Sequence, residues 1–291
     1  MRRDPRCFGL DRTRWTRALV GRVVPWLGSL SLASIGRALR SVGVVLRRAR
    51  DMILSPDPAF AAKQAAVAAS VRDARTAADP AAGPAPSVVT LYLDEVTVYR
   101  QPTLAPAYAA QGATAPASVR SHASDTPTRL VATLDAVTGQ VCACRRTRIT
   151  VATLVTFFQE VVAAYPDAAR IDVVLDNWPV HFHPDLLVAL QPQDPVVPFH
   201  RPPSWPTTPR PSAVARWGHL QLPIRLIPLP TYASWLNRIE RLWHLLRQEV
   251  THLHPWADDL PALRGALDQT LARFAAGSPD LLRYTGLQCP E

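Results

Sequence analysis

Lysine is almost absent from this 291-residue sequence, because Lys63 is the only lysine among 32 basic residues. The bias towards arginine, with abundant alanine and proline, reflects a GC-rich genome and by itself indicates no function. Glycine is scarce beside proline, 12 residues against 29, which predicts rigid loops interrupted by proline. The four cysteines are too few for a disulfide framework. Cys142 and Cys144 have no second pair to complete a zinc site, so we interpret them as buried thiols.

Long apolar runs are also missing, since none reaches the roughly 18 residues that a membrane span needs. Residues 23–36 could serve as the core of a signal peptide. The segment before them is long, however, contains Asp4 and Asp11, and no small-residue cleavage site follows. The sequence therefore predicts a cytoplasmic chain, with no membrane partner. With 48% apolar and 19% charged residues, it predicts a folded chain of one large or two modest domains.

Positive charge is concentrated at the front of the sequence. Residues 1–50 contain twelve arginines and two aspartates, whereas residues 51–291 contain twenty basic and twenty-one acidic residues. A basic arm on a neutral body is typical of a protein that binds a polyanion. A solvated basic tail explains the charge alone equally well.

Residues 32–50 are predicted to form one helix, with Ile35, Leu39, Val42 and Leu46 on its apolar face. Its other face carries the arginines at 37, 40, 47, 48 and 50. A short apolar segment precedes it, so the pair is similar to the second half of a helix-turn-helix. An ordinary amphipathic basic helix would show the same pattern.

Residues 55–87 are predicted to form a linker, with an alanine-rich helix at 59–78 and a proline-broken hinge after it. We place the domain boundaries accordingly at 1–54, 55–87 and 88–291. In the last part, strands are predicted at 87–101, 171–176 and 224–227, with two more within 128–150. Helices are predicted at 151–164, 184–190, 237–250 and 260–275, and residues 191–223 as a proline-rich insertion with little regular structure. This order indicates an α/β sheet with helices on its faces.

Three carboxylates occupy special positions in this pattern. Asp94 and Asp176 each end an apolar strand, and Glu240 lies in the first turn of the helix at 237–250. Ionised groups at the ends of buried strands are costly unless a partner compensates, and a divalent cation is a common partner. Acids that converge from neighbouring elements can hold two Mg²⁺ ions ~3.5–4 Å apart for phosphodiester chemistry. Each acid taken alone is explained as well by a cap or a surface position.

The neighbours of these acids carry a family resemblance. The runs DNWPVH (176–181) and PLPTYASWLNRIERLW (228–243) resemble two signatures of the mariner-like insertion-sequence transposases, of the retroviral-integrase superfamily. LYLDEVTVYRQP (91–102) resembles the first motif of that family. Residues 31–50 and 55–63 resemble its helix-turn-helix end and the linker after it. The departures are Ser234 and Arg238 in place of two motif prolines, and a long interval between Asp176 and Glu240.

The resemblance implies a ribonuclease-H-like mixed sheet flanked by helices, with a partial N-terminal helix-turn-helix. It implies that Asp94, Asp176 and Glu240 are the catalytic, metal-binding acids, for two Mg²⁺ ions or Mn²⁺ in their place. Asn177, His181 and Asn237 align with accessory polar residues. Period-two geometry independently favours Asp94 over Glu95 as the residue that enters the site. We expect Glu95 at the rim or paired with a basic residue.

The implied activity is metal-dependent cleavage of double-stranded DNA at transposon ends, followed by strand transfer into a target. A homodimer associated with the bacterial nucleoid is expected. The expected DNA contacts are base-edge contacts from Ser34, Arg37 and Arg40, and backbone contacts from Arg47, Arg48 and Arg50. A decayed or domesticated DNA-binding copy, or a structure-specific nuclease of the same fold, are the rival functions. The intact acid triad argues against the first rival and the basic arm against the second.

Overall fold

The chain divides after Met52 into the units Met1–Met52 and Ile53–Glu291. The computed structural model describes residues 4–45, 54–79, 81, 87–197, 199 and 203–288. The first unit contains helices α1 (Arg17–Val23) and α2 (Leu32–Ser41). Each helix begins at a hydroxyl cap, because Thr16 accepts from the amide of Leu19 and Ser31 from that of Ser34. A small core of Val20, Leu27 and Ile35 joins them.

The expectation of one helix over residues 32–50 is wrong, because α2 ends at Ser41. Gly43 adopts a left-handed conformation, with φ of 75°. The amides of Gly43 and Val44 donate to the carbonyls of Arg40 and Leu39, at 3.0 and 2.8 Å, which closes the helix. Val42 is exposed and Leu39 is half-buried. Residues 46–50, on which the rest of that prediction fell, lie outside the described residues.

The second unit opens with helix α3 (Phe60–Ala78), close to the helix predicted at 59–78, and continues into a five-stranded sheet. The strands are β1 (Val88–Tyr99), β2 (Pro127–Asp135), β3 (Val141–Arg146), β4 (Arg170–Leu175) and β5 (Ile224–Pro228). Their order across the sheet is β3-β2-β1-β4-β5. The pairs β1–β2 and β2–β3 are antiparallel, whereas β1–β4 and β4–β5 are parallel. The mixed sheet confirms the predicted α/β class.

Both faces of the sheet are covered, because alternate strand residues point to opposite sides. On one face Leu91 and Leu93 pack with helices α4 (Val151–Ala164) and α5 (Pro184–Leu187). On the other face Tyr92 packs with α7 (Glu240–Leu246), α8 (Leu260–Ala272) and α9 (Pro279–Thr285). This sandwich buries both sides of the central strands and leaves the ends of β1 and β4 as the place for polar side chains.

Helix α3 is attached to the sheet by a buried polar group. Asp172 on β4 is fully buried and accepts two hydrogen bonds from Arg225 of β5, each 2.7 Å long. The hydroxyl of Ser70 on α3 donates to the same carboxylate at 2.9 Å. A buried carboxylate is tolerated only when it is paired in this way, so the contact fixes α3 against β4.

Several predicted boundaries differ from the structure. The proline-rich segment 191–223 is not wholly irregular, since it contains α6 (Pro211–Trp217). The helix predicted at 184–190 ends at Leu187, and that at 237–250 begins at Glu240 and passes into a π-helical turn at Arg247–Thr251. Of the helices among the described residues, none is both long and apolar enough to cross a membrane.

Candidate active site at the end of strand β4

Asp94 lies inside β1, within the strand predicted at 87–101, and ends only the apolar stretch of that strand. β1 continues to Tyr99 because β2 accompanies it along that whole stretch. The parallel partner β4 stops earlier, with Tyr92 opposite Val174 as the last pair. Asp176 comes directly after β4, so continuing this pairing by two residues places Asp176 beside Asp94. The two acids therefore meet where β4 ends and β1 runs on.

The carboxylate of Asp94 contacts α7. The indole Nε1 of Trp243 donates to Asp94 Oδ2 at 2.8 Å. Burial, together with the negative charges of Glu240 and Glu95, raises the pKa of Asp94 to about 7. A carboxyl group with this pKa is held at high energy in its charged form, which favours a cation as its partner.

Glu240 is the first residue of α7, and Asn237 positions the chain that leads into it. The Asn237 amide donates to the carbonyl of Leu93 at 3.1 Å, so it connects the start of α7 to the residue before Asp94. Its own Oδ1 is buried and accepts no hydrogen bond. Burial raises the pKa of Glu240, and the charge of Asp176 adds to the effect although Arg247 opposes it. Glu240 thus lies within electrostatic reach of both Asp94 and Asp176.

Asp176 caps the loop that follows β4. Its Oδ1 accepts from the backbone N–H of Trp178 at 2.9 Å and lies 3.1 Å from Nδ1 of His181. Burial by itself would raise the pKa of Asp176, but the hydrogen bond and the charge of His181 and the hydrogen bond from Trp178 together lower it. The Asp176 side chain is 54% exposed and that of Glu95 is 15% exposed, so Asp176 is the more accessible of the two carboxylates that contact His181.

His181 is buried between two carboxylates, a role that the sequence did not reveal. Its Nε2 lies 2.9 Å from Glu95 Oε1, on the opposite side of the ring from Asp176. Burial disfavours the charged imidazole, but hydrogen bonds with Asp176 and Glu95 prevail and raise the pKa of His181 to about 10. The doubly protonated ring, which carries one positive charge, therefore donates a hydrogen bond to each carboxylate at neutral pH. Glu95 faces away from Asp94 and pairs with a basic residue, one of the two placements expected from the strand period.

Asn177 connects Asp176 to two other segments. Its Nδ2 donates to the carbonyl of Leu229, in the loop after β5, at 2.6 Å. Its Oδ1 accepts from Nζ of Lys63 on α3 at 3.4 Å. The predicted accessory residues Asn177, His181 and Asn237 thus all make contacts that hold the loops carrying the acids.

The donor set of this site consists of carboxylate and amide oxygens, the ligands that hard divalent cations prefer. Asp94 and Glu240 each have a raised pKa, and the Oδ1 of Asn237 is buried without a partner. Within the described part of the chain, however, no three His, Cys, Asp or Glu side chains are already grouped to hold a metal ion. The acids share one region, with Asp176 turned towards His181.

The residues predicted to contact DNA belong to the first unit. Ser34, Arg37 and Arg40 all lie on α2, and Arg37 Nη2 donates to Ser34 Oγ at 3.1 Å. Arg37 and Arg40 are exposed, as a contact with a large ligand requires. Arg47, Arg48 and Arg50 lie outside the described residues.

Comparisons with known proteins agree with this fold. The family model described as DDE superfamily endonuclease matches residues 89–264. An uncharacterized 39 kDa protein of insertion element IS630 from Shigella sonnei is 23% identical over 256 residues. The match covers 87% of this chain and 63% of that protein, so the chain spans less than two thirds of its length.

Solved structures share the fold. The Mos1 mariner paired-end complex with Mn is 14% identical, with a TM-score of 0.58, covering 97% of this chain and 73% of the other. The Mos1 strand transfer complex is also 14% identical, with a TM-score of 0.51, covering 97% and 72%. These likenesses confirm the ribonuclease-H-like fold that the motifs implied.

Proposed function

The chain belongs to the DDE superfamily of endonucleases, and on that basis we propose that it is the transposase of an insertion sequence. It cuts double-stranded DNA at the ends of its element and joins the freed ends to a target. The observation that supports this proposal is that Asp94, Asp176 and Glu240 lie in one region where β4 ends, with the charge of Glu240 acting on Asp94 and that of Asp176 acting on Glu240. The Mos1 paired-end and strand transfer complexes support the DNA partner and an active dimer.

The chemistry consists of two substitutions at phosphorus. In cleavage, the oxygen of a water attacks a phosphodiester, the P–O3′ bond breaks, and the proton lost by the water is balanced by the one gained by the 3′ oxygen. In strand transfer, that 3′-hydroxyl attacks a target phosphodiester and releases the 3′-hydroxyl of the target. No oxidant or reductant is involved. Asp94, Asp176 and Glu240 are the residues that would hold two Mg²⁺ ions, or Mn²⁺ in their place.

Metal ions bound there would stabilise charge on the attacking and leaving oxygens. The protein residues supply position. Trp243 orients the Asp94 carboxylate, and Asn237 fixes the start of α7 against β1. Asp176 Oδ1 is held by the N–H of Trp178 and by His181, and its 54% exposed side chain would be accessible to ions shared with the other two acids. His181, bonded also to Glu95, holds this loop in place.

The test is cleavage of a plasmid that carries the DNA flanking this gene, including its terminal inverted repeats. The wild-type chain with Mg²⁺ should nick or cut at the repeat ends. Asp176→Asn should abolish cutting while DNA affinity stays the same or rises slightly, because one negative charge near the phosphate path is removed. Asp268→Asn, which removes an exposed carboxylate paired with Arg145, is the matched control and should cut normally.

Two other results would point to the rival functions. Binding without any cutting, in the wild type and at saturating Mg²⁺, would indicate a DNA-binding protein that has lost its chemistry. Cutting of junctions or RNA–DNA hybrids with no preference for the repeats would indicate a structure-specific nuclease. Cutting that survives in Asp176→Asn would show that the three acids are wrongly assigned.

A further inference from the structure

A groove lies on the α4 side of the sheet, beside the loop that follows Asp176. It encloses a cavity of about 420 Å³. Its walls are the far part of β1, the start of β2, the loop before α4, and one aromatic ring. We name it the arginine groove, and the side chains that define it are Glu95, Thr97, Arg129, Arg148, Thr150 and Trp178.

The charge of the arginine groove is positive. Arg129 is held at the wall, since its Nη1 donates to the carbonyl of Thr147 at 2.7 Å. Arg148 is exposed and, among the described residues, forms no ion pair. Glu95 is the one acid among the lining side chains, and its carboxylate is already bonded to His181 at 2.9 Å. Two guanidinium groups are therefore available to an anionic ligand.

Trp178 gives the groove a rigid aromatic surface. Its backbone N–H is fixed by Asp176 Oδ1 at 2.9 Å, and its ring stands edge-on to the ring of His181, with centroids 5.3 Å apart and planes at 84°. The side chain is nevertheless 36% exposed. A large ring that is held in place and still open to solvent can stack on a flat ligand at little cost in conformational entropy.

An aromatic ring beside unpaired arginines is the combination that binds single-stranded nucleic acid, where the bases stack and the guanidinium groups contact phosphates. Intact duplex DNA offers phosphates but keeps its bases stacked inside, so it would leave Trp178 unused. The groove adjoins the loop that carries Asp176, because the backbone N–H of Trp178 donates to the Asp176 carboxylate at 2.9 Å. A strand bound to Trp178 would therefore lie beside that acid.

We propose that the arginine groove binds the unpaired DNA strand next to the phosphate that is cut, with a base on Trp178 and phosphates at Arg129 and Arg148. This inference rests on the proposed function, since it deepens the account of how that site takes its DNA. It assigns a binding role to residues that lie outside the three acids and outside the basic first unit.

The test is photo-crosslinking of the full chain to an oligothymidylate of about 12 nucleotides that contains 5-iodouracil, with the crosslinked peptide identified by mass spectrometry. The expected adduct is on Trp178. In anisotropy titrations with the same oligonucleotide, Trp178→Ala and Arg148→Ala should each weaken binding by about fivefold or more, and Trp178→Phe should restore most of the loss. Arg148→Ala should also reduce the salt dependence by about one phosphate contact.

Arg145→Ala is the matched control, because Arg145 lies three positions away and pairs with Asp268. It removes the same charge from the same chain and leaves the basic first unit intact, so it should bind like the wild type. An equal loss of oligonucleotide affinity in Arg148→Ala and Arg145→Ala, or an adduct on a residue outside the groove, would overturn the proposed binding role of the groove. A wild type that cuts no DNA but still forms the Trp178 adduct would overturn the proposed function and leave the groove standing.

Discussion

The ammonium group of Lys63 lies 2.8 Å from a carboxylate oxygen of Asp57, and both side chains are only 5% exposed. The same oxygen of Asp57 accepts from the backbone N–H of Thr231 at 2.8 Å, and Lys63 also reaches Asn177. The single lysine of the chain thus connects the segment before the sheet to the loops that follow β4 and β5. One of those loops carries Asp176.

Replacing Lys63 with methionine should destabilise the fold by about 3 kcal/mol, because the Asp57 carboxylate would stay buried without its cation. Urea denaturation of the full chain measures the change. Arg273→Met is the matched control, since it breaks an ion pair with Glu249 whose side chains are 52% and 34% exposed, and it should cost less than about 1 kcal/mol. Equal costs in the two variants would mean that the buried pair contributes nothing special.

The same pair predicts a pH dependence of stability. Burial opposes ionisation of Asp57, but hydrogen bonds from Lys63, Thr231 and Ala59 lower its pKa to about 2, from 3.8. A carboxyl group whose pKa is lower in the folded state than in the unfolded state stabilises the fold at pH values above the unfolded-state pKa. That stabilisation is lost as the pH falls through the folded-state pKa. Wild-type protein should therefore lose about 2 kcal/mol more than Asp57→Asn between about pH 5 and pH 2. Denaturation midpoints measured at both pH values give the difference, and parallel curves would contradict it.

Trp243 is expected to support metal binding by orienting the carboxylate of Asp94. Trp243→Phe keeps most of the buried ring and removes the N–H that orients Asp94. If the proposed function is correct, Trp243 orients a metal ligand. Removing such a residue lowers metal affinity or activity by about tenfold to a hundredfold. The half-saturating Mg²⁺ concentration for cleavage should rise in this variant. Trp256→Phe, which changes a tryptophan stacked on His254, is the control and should leave the Mg²⁺ dependence unaltered.

The arginines of the first unit are expected to contribute in two different ways to DNA recognition. If α2 enters the major groove, Arg37→Ala should relax the preference at one base pair by about 1–3 kcal/mol. Arg48→Ala, by contrast, should weaken binding to all sequences alike, and total binding should fall steeply with salt. Competition between labelled repeat ends with single base changes separates the two effects. The same uniform loss in both variants would show that α2 contacts only the DNA backbone.

The positions of the acids were predictable where local pattern determines them. The apolar run that forms β4 ends at Leu175, so Asp176 was expected directly after the carboxyl end of this strand. Asp94 marks the end of the apolar run of β1, whereas pairing with β2 carries the strand on to Tyr99. The length of β1 is thus decided by its neighbour, a tertiary contact that the run itself does not contain.

Helix ends and contacts between distant elements were harder to predict. Apolar spacing continued through Leu46 and hid the stop at Gly43, which depends on a left-handed backbone. The α6 helix was missed because prolines surround it. Nothing in the sequence links Glu95 to His181, which are 86 positions apart, or Lys63 to Asn177, which are 114 apart. Such pairs exist only after the sheet has assembled.

Asp94 and Glu240 are 146 positions apart, so a truncated product of the gene can contain the first acid and lack the last. During translation the first unit and α2 leave the ribosome long before α7 is made. A frameshift or stop codon between β5 and α7 would yield a polypeptide that keeps the basic first unit and lacks Glu240. On the proposed division of roles, that product occupies the DNA ends and cuts nothing. On the proposed function, a frameshift or stop codon late in the gene would therefore produce a competitive inhibitor of the intact transposase.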